Sequence, residues 1–217
     1  MVPQEGRPGQ IPVSAADVTL ATGLATAAFG SAPTGAWERQ AGPLEWDCWE
    51  TVEHIADDLF AYAVQLTPAT PAGGYVPIAM TSTGPGGARS AIHVDRESGP
   101  AGLLQMLEAC GALLAAMVTT ASPDTRAWHP MGTSDPEGFA AMGVTETLVH
   151  GHDVAQGLGV LWEPPADLCT RVLSRLFPQA PADADPWAAL LWACGRGDLP
   201  GRPPVGDDWR WYSEPRP

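Results

Sequence analysis

From about residue 100 to 120 the chain places Leu103, Leu107, Cys110, Leu114 and Met117 at successive steps of four, three, four and three. That spacing keeps one apolar stripe on a helix. It scatters the same residues over both faces of a strand, whose side chains alternate. The segment is therefore expected to be a helix packed on other helices, and the rest of the chain must supply them.

Three further segments read the same way. Ser14 caps a helix to about Phe29, with Asp17 in its first turn and Val18, Leu20, Leu24, Ala25 and Ala28 at helical spacing. Gly23 and the threonines lower its propensity, so packing must stabilise it. Asp47 with Glu50 forms a capping-box start for a helix to about Gln65. Its stripe is Val52, Ala56, Leu59 and Ala63, with Ile55 and Phe60 at the edges. Ser134-Asp135-Pro136-Glu137 opens a fourth helix that runs to about Gln156 and stops at Gly157 and Gly159. Shorter helices are expected over 165–177 and 186–194. No βαβ alternation and no internal repeat is visible. The fold class is all-α, a four-helix bundle with short accessory helices.

The connections are uneven. Residues 1–13 read as a disordered lead, 14–196 as the bundle domain and 197–217 as a Pro/Trp/Arg-rich tail packed on or near it. Residues 30–45 form a loop. Between helices two and three lies a long Gly/Pro-rich connection, 67–99, with a short extended piece at Tyr75–Thr81. Long connections of this kind are often functional, and this one is expected to shape a pocket. The 122–135 loop carries Trp128, His129 and Pro130.

Charge narrows the function. The formal net charge is -14, and all 11 basic residues are arginine. Phosphate backbones need clustered cations, so nucleic acid is not an expected partner, and an anionic membrane is disfavoured for the same reason. No apolar run approaches the roughly 20 residues of a membrane span. The N-terminus lacks a basic region followed by an apolar core, so no signal peptide is expected. Cys48, Cys110, Cys169 and Cys194 show no C-x-x-C spacing and read as buried thiols in a reducing cytoplasm. Heavy use of Ala, Gly, Pro and Arg fits a GC-rich genome.

Helix four carries the chemistry. In Glu146-Thr-Leu-Val-His150-Gly-His152-Asp153, the side chains of Glu146, His150 and Asp153 fall within about 60° on one face. A carboxylate and an imidazole one turn apart can converge on one cation, and both are typical zinc donors. Apolar residues flank the trio, so the site is expected to be interior, where a buried Glu and His need a partner. A third ligand must come from elsewhere. Measured from the stripe of helix two, His54 projects almost opposite, beside Glu50, Asp57 and Ala61, and reads as solvent-exposed. Spacing alone does not choose among His54, His93, His129 and His152.

Three segments resemble a known family. Trp46-Asp-Cys-Trp-Glu-Thr-Val-Glu-His54-Ile-Ala-Asp-Asp-Leu resembles the first signature of the DinB-like superfamily. Glu146-Thr-Leu-Val-His150-Gly-His-Asp153 resembles the second, in the E-x-x-x-H form of the mycothiol-dependent maleylpyruvate isomerase branch. Leu190-Leu-Trp-Ala-Cys-Gly-Arg196 resembles a closing motif of the same actinobacterial group. The resemblance implies a DinB-like four-helix bundle holding a divalent cation, usually zinc, on His54, Glu146 and His150. It implies a small thiol, mycothiol, as co-substrate, with an electrophilic small molecule as the other partner.

The activity so implied is a thiol S-transferase or a thiol-dependent isomerase. The additional C-terminal domain of the isomerase itself is not expected here. Two alternatives remain: a non-catalytic metal- or ligand-binding protein, and a biosynthetic-pathway enzyme using the pocket for another reaction. Asp153 is placed to orient His150 or brace the helix. Arg196 is placed to hold a carboxylate of thiol or substrate, or to form a structural salt bridge. His129 reads as an exposed loop histidine, His152 points about 120° away from Glu146, and His93 reads as incidental. None of the cysteines is expected to be the nucleophile. A cytoplasmic monomer or homodimer is expected.

Overall fold

The computed structural model describes residues 11–68, 73–82, 87, 89–206 and 210–215. The expected disordered lead lies largely outside these residues. Its last residue, Val13, is buried, and its N–H donates to Glu137 Oε1 at 3.2 Å.

Among the described residues there are six α-helices: α1 Ala15–Phe29, α2 Cys48–Gln65, α3 Gly99–Thr120, α4 Pro136–Leu158, α5 Ala166–Leu176 and α6 Pro186–Ala193. The one sheet is a two-stranded ribbon, with β1 Thr81–Ser82 antiparallel to β2 Arg89–Ser90. The chain is therefore all-α. Helix α3 packs on α1 and α2, α4 packs on the same two helices, and α5 and α6 pack together beside α4.

Local chemistry sets the helix ends. At α2, Asp47 Oδ1 accepts from the Glu50 N–H at 2.7 Å, while Glu50 Oε2 accepts from the Asp47 N–H at 3.2 Å. At α4 the cap is Asp135, which accepts from Gly138 N at 2.8 Å. Ser134 is released from capping, and its hydroxyl instead donates to the Ser213 carbonyl at 2.6 Å. Helix α4 runs through Gly157 and ends at Gly159, whose φ of 71° is left-handed. Gly157 is required for packing: a Cβ there would come 2.5 Å from the Gln40 carbonyl oxygen.

The stripe Leu103, Leu107, Cys110 and Leu114 is buried, as its spacing demands. The outer face of α3 is also apolar, and Leu113 is half exposed. With the turn before it, this helix spans 25 residues, and an 18-residue window within it has a mean hydropathy of 1.7. By length and composition alone it could cross a membrane, contrary to the sequence expectation, which missed that Ala and Gly keep the run apolar. Its inner stripe is packed in the core instead.

The long connection is tied down by α2. Gln65 donates through Nε2 to the carbonyls of Gly74 and Trp128 at 2.9 and 3.0 Å, and its Oε1 accepts from Val76 N. Asp57 Oδ1 accepts from Ala91 N and Ile92 N at 2.7 and 2.9 Å. Glu53 Oε1 accepts from Val94 N at 2.8 Å and from Trp49 Nε1 at 3.0 Å. Buried carboxylates are costly unless hydrogen-bonded, and these are.

A second clamp fixes the C-terminal tail. Arg175 of α5, only 5% exposed, donates to Asp135 Oδ1 at 2.8 Å and to the carbonyls of Tyr212 and Ser213 at 3.1 and 2.9 Å. One buried cation thus joins α5, the start of α4 and the tail.

Candidate metal centre

Two helices face each other across the site. His54, Asp58 and Tyr62 follow one another at intervals of four on α2, and Glu146, His150 and Asp153 share a face of α4. One ligand atom from each of His54, Glu146 and His150 can be chosen so that all lie within 4.8 Å of one another. The two imidazole rings are 5.0 Å apart, at 79°. Trp46 packs edge-on against His54 at 4.9 Å. The side chain of His54 is 22% exposed and lies at a groove between helices, so the outward direction given by periodicity was right and the solvated face was not.

The surroundings fit a cation. His150 Nε2 lies 3.4 Å from Glu146 Oε2, and His150 Nδ1 lies 3.2 Å from Asp153 Oδ2. With the Nδ1 proton directed at Asp153, the Nε2 lone pair is left facing the Glu146 oxygen. Two acceptors so placed need a proton or a cation between them. Burial raises the Glu146 carboxyl pKa, the nearby Asp58 raises it further, and His150, His54 and Arg196 pull it back. A carboxylate in that setting gains from any added positive charge. Burial also lowers the pKa of His54, so its ring is neutral and ready to ligate.

Around this core, His54 Nε2 lies 3.2 Å from Asp58 Oδ2, and the Tyr62 hydroxyl donates to Glu146 Oε1 at 3.4 Å. Burial beside Asp57 holds the Asp58 carboxyl well above the usual carboxylate range. Arg196 arrives from the far end of α6. Gly195 takes a φ of 70° and the Arg196 N–H returns to the Leu191 carbonyl at 2.8 Å. That turn aims the guanidinium at α4, where Nη2 donates to Asp153 Oδ2 at 3.2 Å and Nη1 to the Cys194 carbonyl at 3.0 Å. His150, Asp153 and Arg196 form one chain of contacts.

A cavity of about 330 Å³ opens over the cluster. Tyr62, Tyr75, His129, Met131, Val149 and Trp211 also line it. His129 is 5% exposed, against the expectation of a solvated loop residue. Its Nδ1 accepts from Met131 N at 3.1 Å, and its ring contacts Tyr62 and Trp211 at 5.9 and 5.7 Å. Burial pushes its pKa down to about 4. His152 packs on Trp187, and His93 bonds to Thr81 Oγ1, so neither joins the cluster.

All four cysteines are buried and unpaired by disulfides. Cys194, unlike the others, lines the cavity. Burial raises its pKa well above the usual thiol value, as it raises those of Cys48 and Cys110 to about 11 and Cys169 to about 12. Sequence reasoning also missed Asp58 and Tyr62, whose signal was their spacing of four and eight residues from His54. Tyr75 and Trp211 reach the cavity from an irregular connection and the tail, which carry no periodic signal.

The fold and the cluster together define an all-helical protein with a His/Glu/His site able to hold a divalent cation beneath an open pocket. The chain belongs to the mycothiol maleylpyruvate isomerase N-terminal domain family, whose family model matches residues 17–155. That span contains all three candidate ligands and Asp153. Cys194, Arg196 and Trp211 lie beyond it. No curated protein and no solved structure matches the chain.

Proposed function

We propose that this protein is a divalent-metal-dependent enzyme of small-thiol chemistry, built as a DinB-like four-helix bundle. It acts as a mycothiol S-transferase or as a thiol-dependent isomerase, with zinc the expected cation on His54, Glu146 and His150. The observation that carries the reading is the convergence of these three donors, from two helices, on one point at the base of an open cavity. Three protein donors with room left over is the pattern of a reactive zinc site, whereas structural sites use four.

A divalent cation held there supplies one thing, a thiol kept as thiolate at neutral pH. The chain's own residues do the rest. His54 presents a neutral imidazole, and His150 offers its Nε2 to the site. Asp153 accepts a hydrogen bond from His150 Nδ1 and so leaves Nε2 to ligate. Arg196 holds Asp153 in place and acts on the site through it. Tyr62 orients Glu146. The thiol comes from solution in this reading, since all four cysteines are buried. Four buried cysteines also suit a reducing cytoplasm, and the net charge of -14 suits small-molecule partners over nucleic acid.

The test is thiol consumption by the zinc-loaded protein with mycothiol and a panel of electrophiles. Turnover should stop on chelation and return with zinc. Turnover unaffected by complete removal of metal would overturn the reading. Tight metal binding with no thiol consumption across the panel would favour a binding protein instead.

A further inference from the structure

His129 is 5% exposed and lines the cavity, yet the metal cluster makes no use of it. The residue is held on several sides. The Trp128 carbonyl before it accepts from Gln65 Nε2 at 3.0 Å, and its own carbonyl accepts from Gly132 N at 2.9 Å. Its ring contacts those of Tyr62 and Trp211 at 5.9 and 5.7 Å. Tyr62 in turn donates from its hydroxyl to Glu146 Oε1 at 3.4 Å, so one side chain separates His129 from a candidate ligand.

We propose that His129 is a substrate-binding residue, whose Nε2–H donates to an acceptor oxygen on a small molecule bound in the cavity. The inference rests on the proposed function only in taking this cavity as the place where substrates bind. Electrophile and thiol can both carry such an oxygen, and separate titrations tell the two sources apart.

The place of the proton follows from the hydrogen bonds. Met131 N donates to His129 Nδ1 at 3.1 Å, and the Ser213 hydroxyl lies 3.4 Å from the same atom. A neutral imidazole carries one proton, and the nitrogen that accepts a backbone N–H is the one without it. The proton is therefore on Nε2, which has no hydrogen-bond partner among the described residues. A buried N–H left without an acceptor is costly. The cavity that the ring lines is where an acceptor can enter. Burial also pushes the pKa of the ring down to about 4, so the donor stays uncharged at neutral pH. An uncharged donor avoids the repulsion that an imidazolium would meet from a divalent cation in the same cavity. Backbone and ring are fixed before anything binds, so little further ordering accompanies the new bond.

The experiment follows the imidazole N–H signals of the zinc-loaded protein by nuclear magnetic resonance at neutral pH. The His129 signal is assigned by its loss in His129→Gln, and it should be that of an Nε2–H tautomer. Cyclohexanone and mycothiol are titrated separately, with methylenecyclohexane as a probe of the ketone's shape that lacks the oxygen. The His129 proton should move downfield and exchange more slowly with water on adding the ketone, the thiol or both, and should do neither with the hydrocarbon. His129→Phe should weaken the probe that responds by about fivefold and leave the hydrocarbon unchanged, while His129→Gln, which restores an N–H, should recover most of the loss. The wild-type spectra decide the matter even where His129→Phe fails to fold. An Nδ1–H tautomer, or a His129 proton that answers neither oxygen-bearing probe, would overturn the proposal. Failure of the thiol chemistry would show separately, as absence of mycothiol turnover, and leaves the His129 measurement standing.

Discussion

The Nδ1 atom of His150 lies 3.2 Å from Oδ2 of Asp153, a fully buried carboxylate that also accepts from Arg196 at 3.2 Å. One carboxylate oxygen therefore sets the tautomer of a candidate ligand while being held by a cation from the turn after α6. Partners of this kind raise ligand basicity and fix ring orientation.

Asp153→Asn keeps the shape and removes the charge. Metal affinity should fall by about 10- to 100-fold, measured by competition with a chromophoric chelator. The far-ultraviolet circular dichroism should stay that of a helical protein. An unchanged affinity would reduce Asp153 to an anchor for Arg196.

Protonation of His129 should be felt as lost stability. Its pKa in the folded protein is about 4, below the ordinary 6.5, because of burial. The unfolded chain therefore takes up this proton first as pH falls. The folded state loses stability through the window from 6.5 down to 4 and no further below it. Buried carboxylates with raised values, such as Glu146, act in the opposite direction, so the comparison must be made with a variant. Between pH 7 and pH 5, urea unfolding should show wild type losing about 1–2 kcal/mol more than His129→Gln. Parallel pH profiles for the two proteins would contradict this.

The cysteines should be inert in the folded protein. A disulfide-forming thiol reagent at pH 8 should modify well under one cysteine within minutes, and all four after denaturation, since burial raises every thiol. Cys194→Ala should keep thiol-dependent turnover within about threefold. Loss of turnover at unchanged metal content would assign Cys194 a covalent role and remove the external thiol from the mechanism.

Much of the helical framework is readable from local pattern. The α3 stripe and the α2 capping box are strong signals, and each is where its spacing puts it. The direction of His54 was readable as well, but its environment was not. Periodicity equates a polar face with solvent, and on α2 that fails twice over. Glu53 and Asp57 look like surface carboxylates, yet they are buried because they accept backbone N–H groups from residues 91–94. His54 looks solvated, yet it faces α4 across a groove. The E-x-x-x-H spacing on α4 marked two donors, and resemblance to a family supplied the third. His129, Tyr75 and Trp211 come from loops and the tail, and only the tertiary clamps at Gln65 and Arg175 bring them to the cavity. Nothing local in the sequence encodes those meetings.

Elemental analysis of the purified protein beside His150→Ala tests the central claim most directly. The claim predicts about one divalent ion per chain in wild type, and loss of most of it in the variant, because three converging donors become two. Circular dichroism should show the variant still helical. Full metal retention in a folded His150→Ala would contradict the account and place the cation, and the chemistry built on it, elsewhere in the molecule.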